Sequence, residues 1–313
     1  MKIPILQLAA WVAAGSLLVA PFAFAADSAL QGQGSAVITV LQGQELPGGI
    51  PEQALQLKVD GKQSEITGWT PLRGPQSKVE VVVLIDDGAR TSLGLQMKDI
   101  ATFIQGLPPN AKVAVAYMMN GRAALVGPLT TDRAAVASKL HLPMAGMPGI
   151  NASPYFCLSD LAKNWPSRDS GARREVVMVT DGVDNYERRY DPEDPYVQAA
   201  INDSVRARLI VYSIYWTNSG GFDRGMYGAD TGQNLLAEVT EATGGNSYWQ
   251  GIGNPVSFQP YLADIDRRLD NQYELNFMAP LGSKPQIESL RLKLNAPAKV
   301  DAPQQVYVHA GAE

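Results

Sequence analysis

The sequence predicts an α/β fold: a doubly wound, mostly parallel sheet with helices on both faces, joined to a β-sandwich module built from N- and C-terminal strands. Two stretches carry the first half of that expectation. Val79–Arg90 (VEVVVLIDDGAR) and Glu175–Asn185 (EVVMVTDGVDN) are β-branched apolar runs that end abruptly in Asp and Gly. Unbroken runs of this kind suit strands buried on both faces, as a parallel sheet covered by helices demands. The second half rests on strand-like segments at both ends of the chain with no helix signal between them. Each is too short to bury a core alone, so they are expected to meet.

Residues 1–25 are set aside as an expected signal peptide. Lys2 precedes an apolar run from Ile3 to Val19, and Ala23-Phe24-Ala25 supplies the small residues of a cleavage site before Ala26. The expected divisions are 26–77 for an N-terminal β module, 78–270 for the α/β domain, and 271–313 for C-terminal strands that complete the module. No later segment is apolar enough to span a bilayer, so a periplasmic or secreted protein is expected. The hydrophobic content of 45% is ample for a core. Net charge is −5, or −6 after loss of Lys2, which argues against nucleic acid or an anionic membrane as partner. Cys157 is the single cysteine and reads as a buried small hydrophobe.

Taken in order, residues 27–35 are rich in Gly, Gln and Ser and read as frayed. Ser35–Leu41 has strand composition, and Asp60-Gly61 joins Ala54–Val59 to Ser64–Trp69 as a hairpin. Val79–Ile85 leads to an amphipathic helix, Leu93–Gln105, with Leu95, Ile100, Phe103 and Ile104 inward. Asn120-Gly121 predicts a second hairpin, and Thr130 or Thr131 is expected to cap the helix that follows. Further helices are read at Tyr155–Lys163, up to Arg206, at Gln233–Thr243 and at Pro255–Leu269, with strands at Arg174–Thr180, Arg208–Trp216 and Ser247–Trp249. Tyr273–Met278, Gln286–Leu294 and Gln305–His309 read as the closing strands. Trp165, Trp216 and Trp249 are expected in the core. Tyr186, Tyr190, Tyr196, Phe222 and Tyr227 read either as an exposed surface near the site or as packing residues.

In open α/β sheets, sites form at the carboxyl ends of strands, so Asp86 and Asp181 are expected to face one crevice. Loop anchoring through backbone amides is the simpler reading of both. Carboxylates at strand ends also occur in magnesium-dependent phosphoryl transfer. Against that reading, Gly88 stands where such enzymes commonly place a second Asp. The two histidines, His141 and His309, supply neither a hydrolytic triad nor, with Cys157, a zinc site.

These residues resemble von Willebrand factor A (VWA) domains, and within them a secreted bacterial group with a terminal strand block. VVVLIDDGAR resembles the Asp-x-Ser-x-Ser metal loop, and VVMVTDGVDN the Thr-Asp-Gly motif. NLLAEVTEATGG, NQYELNFMAP and the LQLKVDGKQSEI hairpin resemble segments elsewhere in that group. The resemblance implies a non-enzymatic recognition domain in which a divalent cation, usually magnesium, bridges to an acidic group on a partner protein.

Asp86 and Asp181 match the family's Asp positions, while Gly88 and Arg90 fall where hydroxyls are expected. Ser153, or Asn151 in a competing alignment, falls at the Thr position. A guanidinium about 5 Å from a divalent ion is repelled by roughly 6–7 kcal/mol at an effective dielectric of about 20. A metal-free site is therefore expected, with Arg90 pairing to Asp86 or Asp181. Asp87 and Asp184 are spare oxygens that keep a Mg2+ site of Asp86, Ser153 and Asp181 open as the alternative. The expected binding set is Asp86, Asp87, Gly88, Arg90, Ser153, Asp181, Gly182 and Asp184, with another protein as partner. A cation-dependent adhesin-like binder is the first alternative and a Mg2+-dependent hydrolase the second.

Overall fold

The computed structural model describes residues 31–41, 49–74, 77–144, 153–184, 186, 191, 193–218, 226–281 and 284–310. The expected signal segment, Asn151, Tyr190, Phe222 and the side chain of Tyr227 lie outside the described residues. The chain opens with β1 (Gln31–Leu41), β2 (Leu55–Val59), β3 (Lys62–Gln63) and β4 (Glu65–Pro71). It continues through β5 (Val79–Asp86), α1 (Met97–Gly106), β6 (Lys112–Met119), β7 (Arg122–Leu125), α2 (Arg133–Ala137) and α3 (Pro154–Lys163). Then come β8 (Arg173–Thr180), α4 (Pro195–Arg206), β9 (Leu209–Tyr215), α5 (Met226–Thr243), β10 (Ser247–Tyr248) and α6 (Gln259–Leu269). β11 (Gln272–Pro280), β12 (Gln286–Leu294), β13 (Lys299–Asp301) and β14 (Gln305–Ala310) close it.

The middle of the chain forms a six-stranded sheet in the order β10-β9-β8-β5-β6-β7. Every pairing is parallel except the β6–β7 hairpin, which turns at Asn120-Gly121 with φ of 50° and 73°, as that dipeptide favours. All of β5 and all of β9 are buried. Alternate residues face opposite layers: Val81, Val83 and Ile85 pack with Ile100, Ile104, Leu262 and Ile265 on α1 and α6. Val82 and Leu84 pack with Leu158, Leu161, Ile201 and Leu235 on α3, α4 and α5. At about 1.5–3 kcal/mol for each fully buried Val, Leu or Ile, a strand apolar on both faces is held at the centre of the sheet.

Several local expectations are corrected. Residues 91–96 wind as a 3-10 turn before α1, and its three-residue period turns Leu93 and Gln96 inward. Leu95 is left 80% exposed. Asp132, not a threonine, caps α2, its side chain accepting from Ala135 N at 3.0 Å. Trp216 is buried, but Trp249 is 41% exposed just past the edge strand β10.

The terminal strands do meet, as an eight-stranded sheet in the order β3-β2-β12-β14-β1-β11-β4, with β13 also on β1. The path curls around a core of Ile38, Leu57, Leu275, Phe277 and Val308, with β12 pairing to β14 through Gln286–Ser289 and to β2 through Leu290–Leu294. β1 begins at Gln31, inside the segment read as frayed, and pairs with β11 from Gln31↔Pro280 to Thr39↔Gln272. Its glycines are there for close approach: a Cβ on Gly34 would lie 2.4 Å from the ring of Phe277. The curled sheet meets the amino-terminal edge of the parallel sheet. Arg208, just before β9, pairs with Glu274 at 3.0 Å, Arg268 with Asp301 at 2.7 Å, and Gln304 N donates to Glu241 O at 3.0 Å. The opposite edge, where the Asp residues lie, is left clear of it.

Candidate functional site

β9, β8 and β5 are neighbours that run the same way, so the loops leaving them emerge together. The loop after β5 reaches across the end of β8 to the loop after β9. Arg90 N donates to Thr217 O at 3.1 Å, Ala89 bridges to Asn218, and Trp216 Nε1 donates to Arg90 O at 3.4 Å.

Asp86 sits at the centre of this crossing. Its Oδ2 accepts from Thr180 Oγ1 at 2.8 Å and Asn218 Nδ2 at 2.9 Å, and its Oδ1 from Gly88 N at 2.9 Å. Burial raises its carboxyl above the usual carboxylate range, and these hydrogen bonds, Asn218's foremost, oppose that by favouring the charged form. Asp181 turns into its own loop, where Oδ1 accepts from Val183 N at 3.0 Å. Burial first, and the neighbouring charge of Asp86 second, lift its carboxyl to about 7.

The remaining expected residues hold the loops in shape. Asp184 is buried and accepts from Tyr186 N at 2.8 Å. Asp87 accepts from Met144 N at 3.0 Å, tying down a different loop. Gly182 has φ of 69°, and a Cβ there would lie 2.5 Å from Gly232 O, so α5 packs directly on this turn. Tyr155 Oη donates to Gly182 O at 2.7 Å from the opposite side. Ser153 is the N-cap of α3, its Oγ accepting from Tyr155 N at 3.2 Å. With Asp86, Asn218 and Cys157 it lines a cavity of about 20 Å³, room for one water-sized occupant. Asn218 Oδ1 is buried with no hydrogen-bond partner among the described residues. Cys157 is buried and its thiol is pushed far up by desolvation, which makes it a poor nucleophile.

Arg90 does not do what the sequence led us to expect. Its Nε donates to Asn218 O at 3.4 Å, and among the described residues it forms no ion pair with Asp86 or Asp181. Asn218 occupies the position instead, satisfying the carboxylate with a neutral donor from the β9 loop. Asn218 and the Thr180 hydroxyl are the two residues that sequence reasoning missed. Thr180 had a positional signal, since it ends a buried strand beside the one that Asp86 ends, whereas Asn218, three residues past β9, had none. Beside the site, Phe156, Tyr186 and Tyr196 meet edge to face with ring centroids 4.8–5.6 Å apart, and Tyr186 is 49% exposed.

No sequence-family model and no curated relative matches the chain. Solved structures do. A von Willebrand factor type A protein from Catenulispora acidiphila is 14% identical, covering 90% of this chain and 74% of its own, with a TM-score of 0.45. An aerotolerance-related membrane protein from Bacteroides fragilis is 17% identical over 61% of this chain and 98% of its own, with a TM-score of 0.46. BatB from Bacteroides thetaiotaomicron is 13% identical over 61% and 97%, with a TM-score of 0.42. Likenesses this distant assign the chain to no family. Among the described residues no helix is long and apolar enough to cross a membrane.

Proposed function

We propose that this chain is a non-enzymatic protein-binding or assembly module of the periplasm or extracellular space. It works through the loop surface around Asp86, Arg90, Ser153 and Asp181, without a cation. The observation that supports the metal-free part is the occupancy of Asp86: three donors already take up most of the roughly four acceptor sites of its two oxygens. Magnesium asks for about six oxygens in octahedral array, and this donor set does not fit that demand. A side chain in place of Gly88 would put its Cβ 3.2 Å from Asp86 Oδ1 and 3.6 Å from Asn218 Nδ2, so a hydroxyl there would crowd the contact that closes the site. Hydrolysis is disfavoured on the same grounds, because three donors already engage the carboxylate and the nearby thiol is held protonated by burial.

The magnesium-dependent adhesin-like reading keeps one specific support: the small cavity lined by Asp86, Ser153 and Asn218, with the Asn218 oxygen unpartnered. Calorimetric titration with Mg2+ and Mn2+ separates the two. The expected result is no saturable heat at millimolar concentration, and saturable binding that disappears in Asp86→Ala would establish the adhesin-like reading instead. Partner binding is tested by crosslinking in the periplasm. Capture should fall in Arg90→Glu, whereas capture indifferent to that change would move the binding surface elsewhere.

A further inference from the structure

Among the described residues, an unassigned cavity lies at the end of the six-stranded sheet opposite Asp86, in the seam between the curled sheet and the domain built on the six-stranded sheet. Its volume is about 530 Å³. Leu72, Arg73 and Asn271 line it from the side of the curled sheet, and Val79, Asn110 and Arg173 from the domain. Both arginines lack an ion-pair partner among the described residues.

Arg73 is held in place rather than waving in solvent. Its Nη2 donates to Asn271 Oδ1 at 3.2 Å, and its guanidinium lies over the Tyr273 ring at 5.6 Å. Arg173 is only 9% exposed. Its Nη1 donates to Leu269 O at 2.9 Å and to Gln272 Oε1, and its Nη2 to Ser77 Oγ at 3.1 Å. Its Nε is buried without a partner. A guanidinium has five N–H groups, so this buried cation keeps unused donors. Glu175 and Asp270 are near enough to favour its charge, yet neither is in contact.

Asp270 is the one acid in the lining, and Glu175 behind Arg173 keeps its proton below about pH 7, so below neutral pH two cations and one anion leave the cavity with a net charge of +1. A single negative charge balances that, whereas a dianion would meet Asp270. Leu72 and Val79 give the cavity apolar wall beside its donors. We propose that this cavity binds an apolar monocarboxylate, with Arg73 gripping the carboxylate and Arg173 behind it supplying the buried positive charge. The ligand could be a free acid or the C-terminus of a polypeptide; both present the same group. Because the lining comes from both parts of the molecule, an occupant here also clamps the curled sheet to the domain. The site stands apart from the loop surface, and its fate does not depend on the function proposed there.

The test is calorimetry and thermal shift on the full chain with N-acetyl-leucine, isocaproate, N-acetyl-leucinamide and inorganic phosphate. Saturable binding of a carboxylate, but not of the uncharged amide, is expected. Arg73 is exposed, so Arg73→Gln should fold normally and weaken binding by roughly tenfold, the scale of a charge-assisted hydrogen-bond pair. Asp270→Asn should strengthen it. Tighter N-acetyl-leucine identifies a chain terminus as the source, and tighter isocaproate a free acid. Equal binding of the amide, phosphate binding ahead of both acids, no saturation with either acid, or affinity unchanged in Arg73→Gln would overturn the assignment.

Discussion

Strand β8 meets a buried carboxyl at each of its ends, and the two are treated in opposite ways. At the carboxyl end, Thr180 donates to Asp86, which also takes hydrogen bonds from Asn218 and Gly88. Near the amino end, Glu175 is fully buried, and among the described residues no donor stands within 3.5 Å of its oxygens in hydrogen-bonding geometry, Gln272 and Tyr212 acting on it only weakly. Burial lifts its carboxyl to about 7, opposed first by Arg173 and then by the nearby Gln272 and Tyr212. Burial is common to both residues, so it is the supply of donors that differs. Donors aimed at a carboxylate favour its charged form, and a buried carboxyl without them keeps its proton instead. At one end three donors offset part of what burial does to the carboxyl; the other end holds a group that changes state near neutral pH.

The largest effect should come from breaking the Asp86 contacts. Asp86→Ala removes the acceptor for the Thr180 hydroxyl, the Asn218 amide and the Gly88 amide at once, and strands these donors away from water. A cost of about 3–5 kcal/mol is expected, the range for removing one partner of a buried charged network, read as a fall in urea midpoint. Asp86→Asn should recover part of the loss, because its amide oxygen can still accept from Thr180 and Asn218 while its NH2 group faces the Gly88 amide. A loss below about 1 kcal/mol in Asp86→Ala would mean that the three bonds contribute little net stability and that the contrast between the ends is only geometric.

Glu175 should give the opposite sign. Its folded-state value of about 7 lies above the ordinary 4.5, so between those values the folded chain holds a proton that the unfolded chain has released. Stability from this group is fully present below about 4.5 and declines as pH rises toward 7. Glu175→Gln, which cannot ionise, should therefore be nearly neutral at about pH 4 and stabilising at about pH 8, by on the order of 1–3 kcal/mol. The change also removes a charge facing Arg173, but burial is the larger influence on Glu175. Parallel melting curves for wild type and variant across that range, instead of curves that diverge as pH rises, would show that Glu175 has found a donor.

Much of this was legible in the sequence because the apolar runs were long and unambiguous. Val79–Ile85 and Glu175–Thr180 could hardly be anything but buried strands, and Asp60-Gly61 and Asn120-Gly121 announced their hairpins, with positive φ at all of these turn residues. Where the reading failed, the deciding contact was remote in sequence. Gly32 and Gly34 looked frayed because nothing local reveals that Val308 and Phe277 pack where their side chains would be. Leu95 looked inward because a 3.6-residue period was applied to a 3-10 turn. At the site, both Asp residues were placed correctly at strand ends. The closing donor, Asn218, lies 132 positions from Asp86, and no local pattern distinguishes it from any polar loop residue. Arg90 was the obvious cation beside two acids, but a neutral amide from the third loop takes the contact.

The smallest expected effect on stability sharpens what the engaged Asp86 leaves available for function. With Asp86 turned inward, a partner must be gripped by the groups around it, and Tyr186 stands half exposed against Phe156 and Tyr196. Edge-to-face aromatic contacts are worth about 0.5–1.5 kcal/mol beyond area burial, so Tyr186→Ala should lower stability by about 1 kcal/mol or less. Its effect on partner capture should be far larger, because exposed aromatics dominate binding energy when they become buried in an interface. Measured side by side, urea denaturation and crosslinking yield should separate in this variant and move together in Asp86→Ala, where the loop scaffold itself is lost. If Tyr186→Ala leaves capture intact, the aromatic trio is packing that supports the Gly182 turn, and binding must rest on Arg90 and the rim of the β5 loop.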